Sequence, residues 1–159
     1  MYLTWGISGL NVSKEVESLM TYPREGKTQG KRQSELSVIT KAKDLCSYIL
    51  TVTEKSPKRF RFTLTAKLQN YALNIIENLY RANEVFLVKG NPATYERRRE
   101  YQRQAMTECR LLAYMAQLAM EQGAILSKQY EQITKKGYDV QNLLGAWMKS
   151  DDKRMGVRS

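Results

Sequence analysis

Nine cations are the residues of this sequence whose type and spacing suggest chemistry: Lys58, Arg59, Arg61, Lys67 and Arg81, then Arg97, Arg98, Arg99 and Arg103. Ammonium and guanidinium groups at this density grip phosphate oxygens, although a solvated basic face can also serve solubility alone. Lys67, Asn74 and Arg81 are seven apart and so share one face of a helix. Lys58, Arg59 and Arg61 crowd the start of that helix, where positive charge opposes the macrodipole by roughly 0.3–1 kcal/mol per exposed residue. Helix formation therefore does not explain them. The charge is also localised: of a net +10 over 159 residues, residues 57–91 carry six basic and two acidic side chains, whereas residues 34–56 balance at three of each.

Catalysis finds little to work with. The chain has no histidine, which excludes histidine general bases and histidine–zinc sites. It has no GxxxxGK[ST] phosphate loop, no GxSxG elbow and no strand–GxGxxG–helix unit, and Gly6-Ile7-Ser8-Gly9 is too short and isolated to count. Glu96 and Glu100 stand at helical spacing but alternate with Arg97, Arg98, Arg99 and Arg103, so intrahelical ion pairing accounts for them. Exposed pairs of that kind are worth only about 0.3–0.5 kcal/mol and would yield to phosphates. Without a Glu-x-x-His pattern a ferritin-like di-metal site is impossible. The chain is expected to be no enzyme and to need no cofactor or metal.

The elements that must position these cations read as helices. Leu64, Leu68, Tyr71, Ala72, Ile75, Ile76 and Leu79 recur at three- and four-residue spacing, giving an amphipathic helix expected near 58–88. Before it, Ser34 can cap a helix near 34–55, on which Val38, Ala42, Leu45, Ile49 and Val52 share a face. Pro57 forces a tight connection between the two, which makes antiparallel neighbours. Residues 1–33, broken by Gly6, Gly9, Pro23, Gly26 and Gly30, read as an arm or linker. A short turn capped by Ser13 is expected there, and Trp5 is either a docking anchor or lies upstream of a true start at Met20.

Gly90, Asn91 and Pro92 break the second helix, and a third is expected near 95–122. Its first half is charged. Its second half, LLAYMAQLAM from Leu111 to Met120, is apolar nearly all round, so it needs cover on more than one side. Leu112, Ala116 and Ala119 can face the bundle while Leu111, Met115 and Leu118 face another subunit; the alternative is a helix central to its own monomer. Gly123 suits a C-cap and Ser127 the N-cap of a fourth helix near 128–149. There Tyr130, Ile133, Gly137, Val140, Leu144 and Trp147 form a seam, and close approach of a neighbouring helix is the expected reason for Gly137 and Gly145. The tail 150–159 has mixed charge and is expected to fray. The fold class is thus all-α, an antiparallel up-down four-helix bundle over 34–149, with Leu45, Ile49, Leu68, Ile75, Leu112, Val140, Leu144 and Trp147 in the core. Cys46 and Cys109 read as small core residues, and the absence of a disulfide framework, leader or apolar span suggests the cytoplasm and no membrane.

Three segments together carry a likeness to a known family. Pro57-Lys58-Arg59-Phe60, the Asn- and Gln-bearing polar side from Gln69 to Asn83, and Gly145-Ala146-Trp147 resemble the small four-helix-bundle proteins that include the accessory variability determinant of diversity-generating retroelements. The intervening-sequence proteins of large-subunit ribosomal RNA genes are a more distant match. The likeness covers roughly residues 36–150. It implies a non-catalytic partner of a reverse transcriptase, assembled as a ring-like homopentamer whose basic surface holds the template RNA, or an RNA/DNA hybrid, and the polymerase during mutagenic copying. A function of another class is a structural or regulatory bundle whose oligomer binds only protein and whose charge serves solubility.

Overall fold

The computed structural model describes residues 29–157, with side chains from Ser37 onward, and among these residues every element is helical. Helix α1 spans Gln29–Glu54, α2 Ala66–Glu84, α3 Pro92–Glu121 and α4 Ser127–Met155. A 3₁₀ turn, Lys58–Phe60, and a wider π-type turn, Arg61–Thr65, lead into α2. Each helix packs on its chain neighbours and α1 closes on α4, giving an antiparallel up-down bundle. The readings of Trp5, Ser13 and Met20 lie outside the described residues.

The periodicity of the sequence is the periodicity of burial. Leu45 and Ile49 from α1, Leu68 and Ile75 from α2, Leu112 from α3, and Val140, Leu144 and Trp147 from α4 are all buried in one core. Truncating such a leucine to alanine costs about 2–5 kcal/mol. Cys46 and Cys109 join that core as free thiols. Burial pushes both thiols up, Cys109 to about 12 with the Glu108 carboxylate adding to the effect, so neither is a nucleophile at neutral pH.

Several boundaries differ from expectation for local reasons. Helix α1 is already formed at Gln29, so Ser34 lies inside it. The second helix is interrupted by its two irregular turns and stops at Glu84, where Val85 is extended at φ −77° and ψ 110°. Tertiary contact sets that stop, because Leu87 is buried and the Val85 carbonyl accepts a hydrogen bond from Arg98 Nη1 at 3.2 Å. Pro92 opens α3 instead of merely breaking α2, its missing N–H being harmless in a first turn. Asn91 caps it, accepting from the Ala93 N–H at 3.1 Å. Gly123 follows α3 with φ +74°, as its C-cap reading requires. Leu126, not Ser127, is the cap residue of α4, and its N–H donates to Gln129 Oε1 at 2.8 Å.

Helix α4 departs from expectation in two places. Close approach does not explain its glycines, since a Cβ at Gly137 or Gly145 would meet no neighbouring atom within 4 Å. Nor does the chain fray at Ser150: α4 runs on to Met155, with Asp151 and Asp152 buried. Carboxylates in a last turn oppose the helix dipole, so partners elsewhere must hold them.

Candidate nucleic-acid interface

Lys58, Arg59 and Arg61 are exposed on the irregular entry to α2, and Lys67 is exposed on its first turn. None of the four pairs with a carboxylate among the described residues. Aromatic rings orient two of them: the Arg59 guanidinium lies 4.6 Å from the Phe60 ring centre and the Lys67 ammonium 5.8 Å from that of Tyr71. Such contacts hold the charged heads in place without neutralising them. The first turn of α2 contains no acidic residue to offset this charge.

The same face of α2 continues toward Arg81, about 21 Å further on at 1.5 Å per residue. Helix α3 runs alongside in the opposite sense. Asn74 Nδ2 donates to Glu108 Oε1 at 3.5 Å, and the Arg81 guanidinium lies 6.0 Å from the Tyr101 ring centre. This register brings Arg81 beside Arg97, as the antiparallel arrangement predicts, across an open groove of about 610 Å³ that Tyr80, Glu84 and Tyr101 also line. Burial raises the Tyr80 phenol, and the nearby Glu84 carboxylate raises it further. The strip is not purely cationic, however. Arg81 pairs with Glu77 on its own helix, and Glu108 lies midway.

Arg98 and Arg99 are not part of this surface. Arg98 is only 1% exposed; its Nε lies 2.9 Å from Asp151 Oδ2 and its guanidinium 4.8 Å from the Trp147 ring centre. Gln102 Nε2 donates to the same carboxylate oxygen at 2.8 Å. Arg99 grips Asp152 with both terminal nitrogens, Nη1 at 2.9 Å from Oδ1 and Nη2 at 3.1 Å from Oδ2. The Tyr95 hydroxyl donates to Asp152 Oδ1 at 2.7 Å. Burial above all, and that hydrogen bond next, push the Tyr95 phenol up. Here is the partner set that holds the end of α4. A signal for it exists in the sequence, because Arg98, Gln102, Ala105, Cys109 and Leu112 continue the buried stripe of α3 at steps of four and three.

Arg97 and Arg103 remain exposed, and Glu96 and Glu100 pair with neither; Glu100 instead accepts from Gln104 Nε2 at 3.0 Å. On the flank expected to meet another subunit, Leu111 is exposed, whereas Leu118 is half-buried and Met115 is half-buried against the bundle's own core. Tyr114, 74% exposed and between Leu111 and Leu118 on the helix, belongs to the outward stripe and was not expected there. Phe62, 87% exposed beside Arg61 in the chain, is the other residue missing from the expected set. Among the described residues no cluster of Cys, Asp or Glu could hold a metal ion, and no helix is long and apolar enough to cross a membrane.

No family model and no curated protein matches the chain. A solved structure does: a protein of unknown function from the S23 ribosomal protein family of Bacteroides thetaiotaomicron VPI-5482, with 17% identity and a TM-score of 0.61, covering 73% of this chain and 98% of that one. At that identity the likeness is one of fold. The helical bundle is shared over nearly the whole of the neighbour.

Proposed function

We propose that this chain is a non-catalytic accessory subunit of a diversity-generating retroelement, binding template RNA and the reverse transcriptase through its basic face as a homopentamer. The observation that carries the reading is the set Lys58, Arg59, Arg61 and Lys67, four exposed cations with no carboxylate partner among the described residues. Such a set opposes the dipole of the helix it begins. Phosphates are its natural counter-charge. Arg81, Arg97 and Arg103 extend the surface along α2 and α3, and repetition around a ring would multiply a weak attraction into a useful grip. Leu111, Tyr114 and Leu118 supply an apolar flank for assembly, and the same flank favours the second reading, an oligomer that binds only protein.

Salt titration of binding to structured RNA separates the two. Affinity for the full chain should fall steeply with salt, and charge reversal at Lys67 and Arg81 together should weaken binding and flatten that dependence. Circular dichroism and light scattering should show helicity and particle size unchanged. Undiminished affinity in the double variant would leave the face as a solvated surface and favour the protein-only oligomer.

A further inference from the structure

Phe62 is an anomaly for an apolar residue. It is 87% exposed, while Phe60, two residues earlier, is half-buried against the core beneath Arg59. Backbone geometry is the cause. In an uninterrupted α-helix Phe62 would stand in line with Gln69, whose Nε2 turns to α1 and donates to Thr53 Oγ1 at 2.8 Å. The π-type turn Arg61–Thr65 takes up one residue more than an α-turn. That extra residue shifts Phe62 by one position, onto the face of Lys67, Asn70 and Asn74 and away from α1. Turns of this type recur at functional sites.

Its surroundings decide what such a ring can bind. Arg61 adjoins it in the chain, Lys58 and Arg59 precede it in the 3₁₀ turn, and Lys67 follows on the first turn of α2. An apolar protein partner closing over Phe62 would have to strip water from these cations, which is why charged residues are depleted from interface cores. A nucleic-acid strand meets both requirements at once, with a phosphate for each cation and a flat base for the ring. Building on the RNA-binding proposal above, we infer that Phe62 is a stacking platform for an unpaired base of the RNA, with Arg61 and Lys67 holding the phosphates on either side. A base inside a duplex is already stacked and offers the ring nothing, so this contact selects single-stranded segments.

The test uses the full chain, a fluorescein-labelled single-stranded RNA of mixed sequence, and the same strand annealed to its complement. Phe62→Ala should weaken binding to the single strand by roughly 5- to 100-fold and leave binding to the duplex nearly unchanged. Phe62→Trp should match or exceed the wild type, whereas Phe62→Leu, which keeps apolar bulk but has no π-face, should behave like the alanine variant. The salt dependence of binding should be the same in all three, since stacking releases no counterions. Equal affinity of Phe62→Ala and wild type for the single strand would overturn this inference alone, leaving the basic face intact. So would rescue by leucine, or a drop in particle size by light scattering in Phe62→Ala, either of which would assign the ring to a protein contact. A wild-type chain that binds neither RNA would overturn the RNA-binding proposal and this inference with it.

Discussion

Where α3 begins and α4 ends, Arg98 and Arg99 are held by Asp151 and Asp152, with Tyr95 and Gln102 completing the set. At the opposite end of the bundle, Lys58, Arg59, Arg61 and Lys67 meet no carboxylate among the described residues. Residue type does not separate the two groups; both are short runs of cations at the start of a helix. Helical phase does. Arg98 falls on the apolar stripe of its helix and must be neutralised to be buried, because an isolated charge in a low-dielectric interior is very unfavourable. The cations before α2 lie on two irregular turns, where the backbone leaves the period of the helix and directs side chains to water. A run of arginines is thus evidence for a ligand only after its phase against the core has been worked out.

The largest effect should come from breaking the first end. Asp151→Ala leaves Arg98 charged and buried without its partner, and urea denaturation should report a loss of about 3–5 kcal/mol. Folded protein should bind RNA as before, since neither residue reaches the surface. If stability falls by less than about 1 kcal/mol, the range for an exposed pair, the contrast between the two ends collapses.

A smaller effect sharpens the contrast by probing the same stripe further along. Cys109 continues the line of Arg98 and Gln102, and its thiol is pushed up from 9.0 to about 12 by burial. A folded-state value above the unfolded one means the stabilisation is fully present below pH 9 and is lost as pH rises toward 12. The loss should approach about 1.4 kcal/mol per pH unit in that window. Cys109→Ala should remove this component of the alkaline unfolding curve, which urea melts at successive pH values will show. An unchanged slope would mean that the stripe at Cys109 is wetter than its burial implies.

How much of this was legible in the sequence follows from the same physics. The core was, because Leu45, Ile49, Leu68, Ile75, Leu112, Val140, Leu144 and Trp147 repeat at helical spacing, and burial obeys that spacing. That Arg81 and Arg97 line one groove is legible too, since a short connection between antiparallel helices places the end of one beside the start of the next. The burial of Arg98 is not legible from its charge, because its phase on the apolar stripe of α3 decides it. Asp151 and Asp152 fall in a stretch with mixed charge and no apolar period, which reads as a fraying tail, and only the three-dimensional approach of Tyr95, Arg98, Arg99 and Gln102 makes them part of the bundle. The exposure of Phe62 depends on a π-type turn that no periodicity announces. Gly137 and Gly145 show the converse: glycine on a seam suggested a close helix contact, and no neighbouring atom is there.

The most direct test of the division between the two ends is the slope of log affinity for single-stranded RNA against log salt concentration. It should be compared among the wild type, a variant with Lys58, Arg59, Arg61 and Lys67 all changed to Gln, and Arg99→Gln. The wild type should show a steep negative slope, and the fourfold variant should lose about 0.7 of slope for each phosphate contact removed. Arg99→Gln should retain the wild-type slope while melting earlier, because its partner is Asp152. A fourfold variant that keeps the wild-type slope, or an Arg99→Gln variant that loses it, would contradict the account.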